Sequence, residues 1–325
     1  MPRARRTEDC LEELHRLRGR LPSAEASAEM HAYLCHKSNL VVAKAAKLAC
    51  EFELHELRAD LVAAFDRFMQ DPAKSDHGCS AKTEIVRALE SLAAPEGSVF
   101  LAGIRHVQME GSFGPPIDTA PGLRAASAMG LVHMNHPDAI LEIVSLLVDS
   151  EADARVGAVR ALAWSGRPES VPLLRLKVLQ ADPSVNVMGE CFMALLAIAP
   201  GSSVDFVARH LDSRNAALAE AAALALGESH LERAVEALIH KWGVHAAATL
   251  QSALVSALAL ARTDNAVDFL FSKIETASER LAVEIISTLA LYKHDDRIRD
   301  RVAALVDSRQ NDTIREAFRS AFLRS

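Results

Sequence analysis

The sequence predicts an all-α solenoid, in which helical hairpins stack one upon the next. Two observations support this prediction: a nine-residue stretch of small and aliphatic residues recurs along the chain, and aromatic residues make up only 5% of the composition. After two longer gaps of 40 and 42 residues, the copies follow one another every 31–33 residues. A near-constant period in this range is typical of stacked supersecondary units. The copies are residues 41–49, 81–89, 123–131, 154–162, 187–195, 218–226, 250–258, 281–289 and 314–322.

Each copy, called helix B below, follows a second amphipathic stretch, called helix A. Residues 139–150 precede the copy at 154–162, and residues 170–181 precede the copy at 187–195. Apolar residues in both stretches recur at i, i+3, i+4 and i+7, which is the period of an amphipathic helix. Because one such pair cannot bury its apolar face alone, we expect each hairpin to pack on the next.

The order of these elements predicts two regions. Residues 1–37 precede the first copy and are predicted to form N-terminal capping helices. Residues 38–325 carry all nine copies and are predicted to form a single continuous array. In such an array each hairpin contacts only its neighbours, so there is no single central core.

The best-defined copy, EADARVGAVRALAWSG (151–166), resembles a HEAT repeat. The short period is similar to that of the bacterial subclass first described from phycobilisome lyases. This resemblance implies a right-handed α-α superhelix of about nine HEAT-like hairpins. It also implies that Arg124 and Arg155, at the second position of helix B, form ion pairs between repeats and have a structural role.

The concave face of such an array is lined by helices B, and its contact residues are expected at the fourth and seventh positions of each copy. Three apolar side chains among these positions suit an amphipathic helix or an extended peptide. A register shifted by one residue would instead place the same side chains in the core. The predicted groove residues are Lys44, Lys47, Arg87, Met129, Arg160, Met193 and Leu224.

The two long gaps predict insertions at residues 70–82 and 106–124, which we expect to form one local surface. Glycine and proline residues at 111–116 forbid a continuous helix there. His106 and Glu110 are four residues apart and would share a face if they were helical. Alternatively, Asp118 or Thr119 caps the next helix. The predicted binding residues of this loop are His106, Gln108, Glu110 and Asp118.

Composition and motifs favour binding over catalysis. The net charge of −7 disfavours a general nucleic-acid binder, although the basic residues of the first four repeats leave that alternative open. Deoxyhypusine hydroxylases hold two irons with repeated His-Glu pairs, whereas this chain has one such pair, at His55-Glu56. No phosphate-binding glycine loop or nucleophile elbow occurs. We therefore predict no catalytic residue, metal or cofactor.

The sequence thus predicts a non-enzymatic scaffold or adaptor that binds a protein or peptide on its concave face. The alternative is a lyase-like or other catalytic HEAT protein that uses the 70–82 and 106–124 loops. No stretch resembles a signal peptide or a transmembrane helix, and the five cysteines show no CxxC spacing. These features predict a cytoplasmic protein that does not contact membranes.

Overall fold

The computed structural model describes residues 6–111, 113–243 and 248–323. Within these residues the fold is all-α apart from one short two-stranded hairpin, so the predicted fold class is confirmed. Contacts divide the chain into two compact units, Met1–Leu173 and Leu174–Ser325, and each is described by itself. The boundary at residue 37 and the continuity of the array stay predictions.

The first unit begins with α1 and α2, within the region predicted as a cap, whose residues 1–5 lie outside the described residues. Helix α2 packs on both α3 and α4, as the later A helices pack on their neighbours. The elements are α1 (Thr7–Arg18), α2 (Ala24–Leu34), α3 (Asn39–Glu51), α4 (Arg58–Met69), α5 (Pro72–Ser75), α6 (Ser80–Ser91), α7 (Gly97–Ile104), β1 (Met109–Glu110), β2 (Ile117–Asp118), α8 (Pro121–His133), α9 (Ala139–Leu146) and α10 (Ala152–Ser165).

Helix α11 (Ser170–Leu179) runs across the division between the units. The second unit continues with regular hairpins, several of which begin with a capping side chain, as Ser184 does for α12. Its helices are α12 (Val185–Ile198), α13 (Pro200–Ala208), α14 (Ala216–Glu228), α15 (Glu232–Gly243), α16 (Ala248–Leu260), α17 (Asp264–Thr276), α18 (Glu279–Leu289), α19 (Asp296–Arg309) and α20 (Asp312–Phe318).

The repeated stretches coincide with the B helices. The first eight copies lie inside α3, α6, α8, α10, α12, α14, α16 and α18, and the ninth spans α20 and the π-helical turn that follows it. In the first unit α6 packs on α3 and α8, and α8 packs on α10. In the second unit α14 packs on α12 and α16, and α18 packs on α16 and α20. The period in the sequence is therefore the stacking period of the structure.

Small residues allow neighbouring B helices to approach closely. A Cβ atom built on Gly157 of α10 would lie 2.3 Å from the Cβ of Ala125 in α8. In the second unit, a Cβ on Gly227 of α14 would lie 2.3 Å from the backbone oxygen of Ala257 in α16. Both distances are shorter than a van der Waals contact, so these positions accept only glycine unless a helix moves.

Basic residues at the second position of three B helices brace the first unit from inside. The Lys82 ammonium is fully buried 3.0 Å from the Asp76 carboxylate. The Arg124 guanidinium, with 3% of its side chain exposed, pairs with Asp149 at 2.8 Å. Arg155 donates hydrogen bonds to the backbone oxygens of Asp149 and Ser150. Arg124 thus forms an ion pair between repeats, as the resemblance implies, whereas Arg155 braces the turn of its own hairpin.

Replacing Gly157 by Ala tests the close approach of α8 and α10. We expect the overpacked variant to lose about 1–3 kcal/mol of unfolding free energy. Gly189→Ala in α12 is the matched control, because its new Cβ would lie at an ordinary 3.6 Å from Ala221. Alanine favours a helix interior over glycine, so the control is expected to be neutral or up to about 1 kcal/mol more stable. Chemical unfolding followed by circular dichroism measures both; stabilisation by Gly157→Ala would contradict the packing.

Candidate functional site

The two insertions of the first unit meet and form one surface, as the sequence predicts. The Gly78 N–H donates a hydrogen bond to Glu110 Oε1 at 2.7 Å. The side-chain amide of Gln108 donates to the backbone oxygen of Asp76 at 2.8 Å. His77 Nδ1 also contacts Glu110 Oε2. Because each contact joins residues about 30 positions apart, the second insertion is held in place by the first.

The second insertion is a β-hairpin and not a continuation of α7. Helix α7 ends at Ile104, and β1 pairs antiparallel with β2, with Glu110 opposite Ile117. The expectation that His106 and Glu110 share a helix face is therefore wrong. The extended conformation is favoured because the Thr119 N–H bonds the Gln108 carbonyl at 2.9 Å, a contact that a helix over 106–110 would not allow.

Side chains along β1 alternate between the interior and the solvent. Gln108 and Glu110 are 2% and 5% exposed, whereas Val107 and Met109 are 59% and 54% exposed. This alternation is the two-residue period of a strand. Gln108 and Glu110 were predicted to contact a partner, but their side chains point inward, so we correct that prediction and assign them a bracing role.

Glu110 is the centre of this brace. Its Oε1 atom accepts hydrogen bonds from the Gln108 amide at 2.6 Å, the Thr119 hydroxyl at 2.8 Å and the Gly78 N–H. Desolvation by burial raises the pKa of Glu110, but these hydrogen bonds and the nearby His77 ring outweigh it, so the net pKa lies below its ordinary value. The carboxylate is thus held ionised, with three donors of the protein on Oε1 and the His77 ring against Oε2.

Asp118 holds the other end of the hairpin. Its Oδ1 atom accepts hydrogen bonds from the N–H groups of Gln108 and Ala120, and its Oδ2 atom lies 2.7 Å from Arg124 Nη1. Burial raises the pKa of Asp118. The backbone hydrogen bonds and the Arg124 guanidinium lower it by more, so the net pKa is below its usual value. Asp118 therefore ties the hairpin to the start of α8.

His106, the remaining predicted loop residue, is half-buried at the base of the hairpin. Its Nε2 atom lies 3.2 Å from Gln108 Oε1, and its backbone oxygen accepts a hydrogen bond from Arg124. Burial lowers the pKa of His106, and the charges of Lys82 and Arg124 add to this effect. The ring is therefore neutral near pH 7 and packs as part of the brace.

The outer face of the hairpin is apolar. Phe113 is fully exposed, and Ile117, at 55% exposed, lies beside Val107 and Met109. A cavity of about 280 Å³ separates this face from the turn at Asp149–Glu151. Sequence reasoning missed these four residues because it selected polar side chains; the odd–even alternation of the strand was the available signal. Exposed apolar side chains on a rigid scaffold are typical of contact surfaces.

The predicted groove residues are all at least partly accessible, which disfavours the shifted register that would have placed them in the core. Lys47, Arg87 and Arg160 are exposed; Lys44, Met129, Met193 and Leu224 are half-buried. Arg87 lies 2.5 Å from the Glu84 carboxylate on its own helix. Whether these residues bind a partner stays a prediction.

Met193 and Leu224 line one groove between α12 and α14, within the second unit. The cavity there has a volume of about 260 Å³. Its floor includes Gly189 and Ala221, and the carboxyl-bearing side chains of Glu190 and Glu228 also line it. The structure thus brings together two of the residues selected from the repeat and adds two glutamates to them.

Metal binding, thiol reactivity and membrane insertion each depend on particular residue types. Among residues 6–111, 113–243 and 248–323, no group of three or more His, Cys, Asp or Glu side chains is placed to hold a metal ion. Burial raises the pKa of both Cys79 and Cys191 to about 12, so these thiols are protonated at neutral pH. In the part of the chain that the structure describes, no helix combines the length and apolar character that spanning a bilayer requires.

Comparison with known proteins identifies the repeat within part of the chain. The family model for HEAT repeats matches residues 118–176, which covers α8–α10 and most of α11. No curated protein matches the sequence. The matched segment is therefore HEAT-like, and it includes the hairpin residue Asp118 and the braces Arg124 and Arg155.

Similar solved structures include three proteins of low sequence identity. One is the complex of CpcE and CpcF of phycocyanin lyase from Nostoc sp., which is 16% identical in sequence. The match covers 81% of this chain and 93% of the other chain, with a TM-score of 0.44. An engineered protein is 15% identical, and the match covers 100% of this chain and 97% of the other, with a TM-score of 0.33. Human deoxyhypusine hydroxylase in complex with glycerol is 13% identical, and the match covers 90% of this chain and 92% of the other, with a TM-score of 0.31. At these values the likeness carries no argument about activity.

Replacing Glu110 by Gln tests the brace. We expect backbone amides of the hairpin to exchange with solvent about tenfold faster or more, because a hydrogen bond to a charged group contributes about 1.5–3 kcal/mol. Glu169→Gln, at an exposed position of the same unit, is the control. The pKa of Glu110 is lowered in the folded protein. The difference in exchange rate between the variant and wild type is therefore complete above the ordinary glutamate pKa of about 4.3, and it is lost as the pH falls through the lowered pKa. Equal exchange in both variants at pH 7 would contradict the brace.

Proposed function

We propose that the protein is a non-enzymatic adaptor that binds an extended or helical peptide segment of a partner protein. The binding surface is the groove between α12 and α14, and the occupant is a segment with an apolar anchor side chain flanked by Lys or Arg. The observation that carries this proposal is the cavity of about 260 Å³ that Met193 and Leu224 line together with Glu190 and Glu228.

Shape and side-chain chemistry support the apolar part of this recognition. Gly189 and Ala221 have no side chain beyond Cβ, so they leave the cavity above them open to a side chain of the partner. Methionine adapts to irregular surfaces because its side chain is unbranched and polarizable. Apolar pockets with a few polar groups at their edge are typical of peptide-binding grooves on helical scaffolds.

Charge supports the basic part. Helix α12 carries Glu190 and helix α14 carries Glu220 and Glu228, and neither these helices nor α16 contain Lys or Arg. A partner segment with an acidic flank would meet like charge there, whereas a basic flank would gain favourable electrostatics and a faster association.

The remaining alternatives have weaker support. A catalytic use of the 70–82 and 106–124 loops would need available acid or base groups, but Asp76 is fully buried, Glu110 is engaged in the brace, and the exposed His77 ring contacts Glu110 through Nδ1. Nucleic-acid binding would use Lys44, Lys47, Arg87 and Arg160 in the first unit. Arg87 is already paired with Glu84, and Arg160 also has an interaction within the protein. A cytoplasmic location remains part of the proposal.

A random peptide library displayed on phage and selected on the purified protein tests the proposal. We expect enrichment of sequences in which one large apolar residue lies between Lys or Arg residues. Binding of the enriched peptides, measured by fluorescence anisotropy, is expected to weaken about tenfold or more in Met193→Glu and in Leu224→Glu, since each places a charge in the apolar cavity.

Two further variants make the result specific. Leu179→Glu changes a leucine that is 71% exposed on α11 and is expected to leave binding unchanged. Glu228→Lys is expected to weaken Lys-flanked peptides and to strengthen the same peptides with Glu flanks. Enrichment of acidic peptides, or equal affinity for wild type and Met193→Glu, would rule out this groove as the peptide site.

A further inference from the structure

A cysteine, a histidine and an aspartate lie in line between α2 and α4, apart from the groove and the hairpin. His31 Nδ1 is 2.6 Å from Asp60 Oδ1. On the opposite side of the ring, His31 Nε2 is 3.8 Å from Cys35 Sγ. The sulfur is on an exposed residue, and the Asp60 side chain is 22% exposed, so the thiol faces solvent while its supporting carboxylate is mostly covered.

The order of these groups has a chemical consequence. When a carboxylate accepts the Nδ1–H of an imidazole, the neutral ring keeps its free lone pair on Nε2. Here that lone pair faces the sulfur, so His31 is placed to take the thiol proton. A nucleophile beside a base that a third group orients is the general arrangement of an activated side chain.

The backbone around Cys35 is also prepared for negative charge. Cys35 follows the last residue of α2, where unpaired carbonyl groups would repel a thiolate. Arg67 Nη2 donates hydrogen bonds to the carbonyl oxygens of Leu34 at 2.8 Å and His36 at 3.2 Å, on either side of Cys35. The guanidinium therefore offsets the negative end of the helix next to the sulfur.

The other four cysteines differ from Cys35. Cys10, Cys79 and Cys191 are buried, and burial raises the pKa of Cys79 and Cys191 to about 12. Cys50 is half-buried, and no side-chain hydrogen bond to its thiol is found within the described residues. Cys50 is therefore a built-in reference thiol.

We propose that Cys35 is a site of reversible modification by thiol–disulfide exchange with small disulfides. His31 Nε2 takes the proton of Cys35 Sγ, and the sulfur attacks one sulfur of the disulfide. The S–S bond of the reagent breaks, a mixed disulfide forms on Cys35, and the leaving thiolate takes the proton back from His31. One disulfide bond is exchanged for another, and the disulfide reagent is the oxidant. Asp60 is a positioning residue in this step.

The test uses the full chain and glutathione disulfide as the probe, with the modification rate of each cysteine measured by peptide mass spectrometry. We expect Cys35 to react faster than Cys50. Greater exposure alone could cause that difference, so the His31→Gln variant distinguishes exposure from base catalysis. We expect it to slow the reaction of Cys35 by about tenfold or more. A positioned base typically contributes about two orders of magnitude, and the solvent exposure of His31 reduces that contribution. The rate at Cys50 is expected to stay unchanged.

The Asp60→Asn variant distinguishes a role of Asp60 in orienting His31 from a role in stabilising the fold. We expect a smaller loss at Cys35 than in His31→Gln, restored in part by Asp60→Glu, with Cys50 again unchanged. Cys35→Ser is expected to abolish the rapid phase. An unaltered Cys35 rate in His31→Gln, or equal slowing of Cys35 and Cys50 in that variant, would overturn the proposal.

Discussion

The close stacking of B helices is the constraint on which the rest of each unit depends. At Gly157 against Ala125, and at Gly227 against Ala257, two helices approach until a single added Cβ atom would overlap a neighbour. At such contacts no side chain of a partner can enter between the two helices. Within the B helices, recognition therefore depends on the variable positions, and outside them on the segments that interrupt the period. The hairpin and the α12–α14 groove are one example of each.

The sequence predicts the α12–α14 groove better than it predicts the hairpin. The small residues and the period predict the B helices because both follow from local side-chain size and spacing. The same register places Met193 and Leu224 in one partly exposed row, although the cavity that they line also includes Gly189 and Ala221. The hairpin escaped prediction because an alternation over four residues is too short to be distinctive. The burial of Glu110 depends on Gly78, a contact 32 positions away.

Charged residues in the two units have different roles, which composition alone conceals. In the first unit Lys82, Arg124 and Arg155 are buried and brace the turns, so the basic residues counted there overstate what a ligand would meet. In the second unit the charged residues of the B helices α12 and α14 are all glutamates, and α16 contains no Asp, Glu, Lys or Arg. Net charge therefore indicates little about recognition until the buried cations are subtracted. After that step, an acidic, apolar groove is the better-defined surface for a partner.

Methionine methyl resonances test the proposed groove most directly, because the chain has 8 methionines in different surroundings. Two peptides with the same central leucine, one flanked by lysines and one by glutamates, would be titrated into protein labelled at the methionine methyl groups. We expect the lysine-flanked peptide to shift the Met193 signal and leave the buried Met30 unchanged, and the glutamate-flanked peptide to shift neither. Shifts confined to Met109 or Met129, or no shift at Met193 at saturating lysine-flanked peptide, would contradict this account.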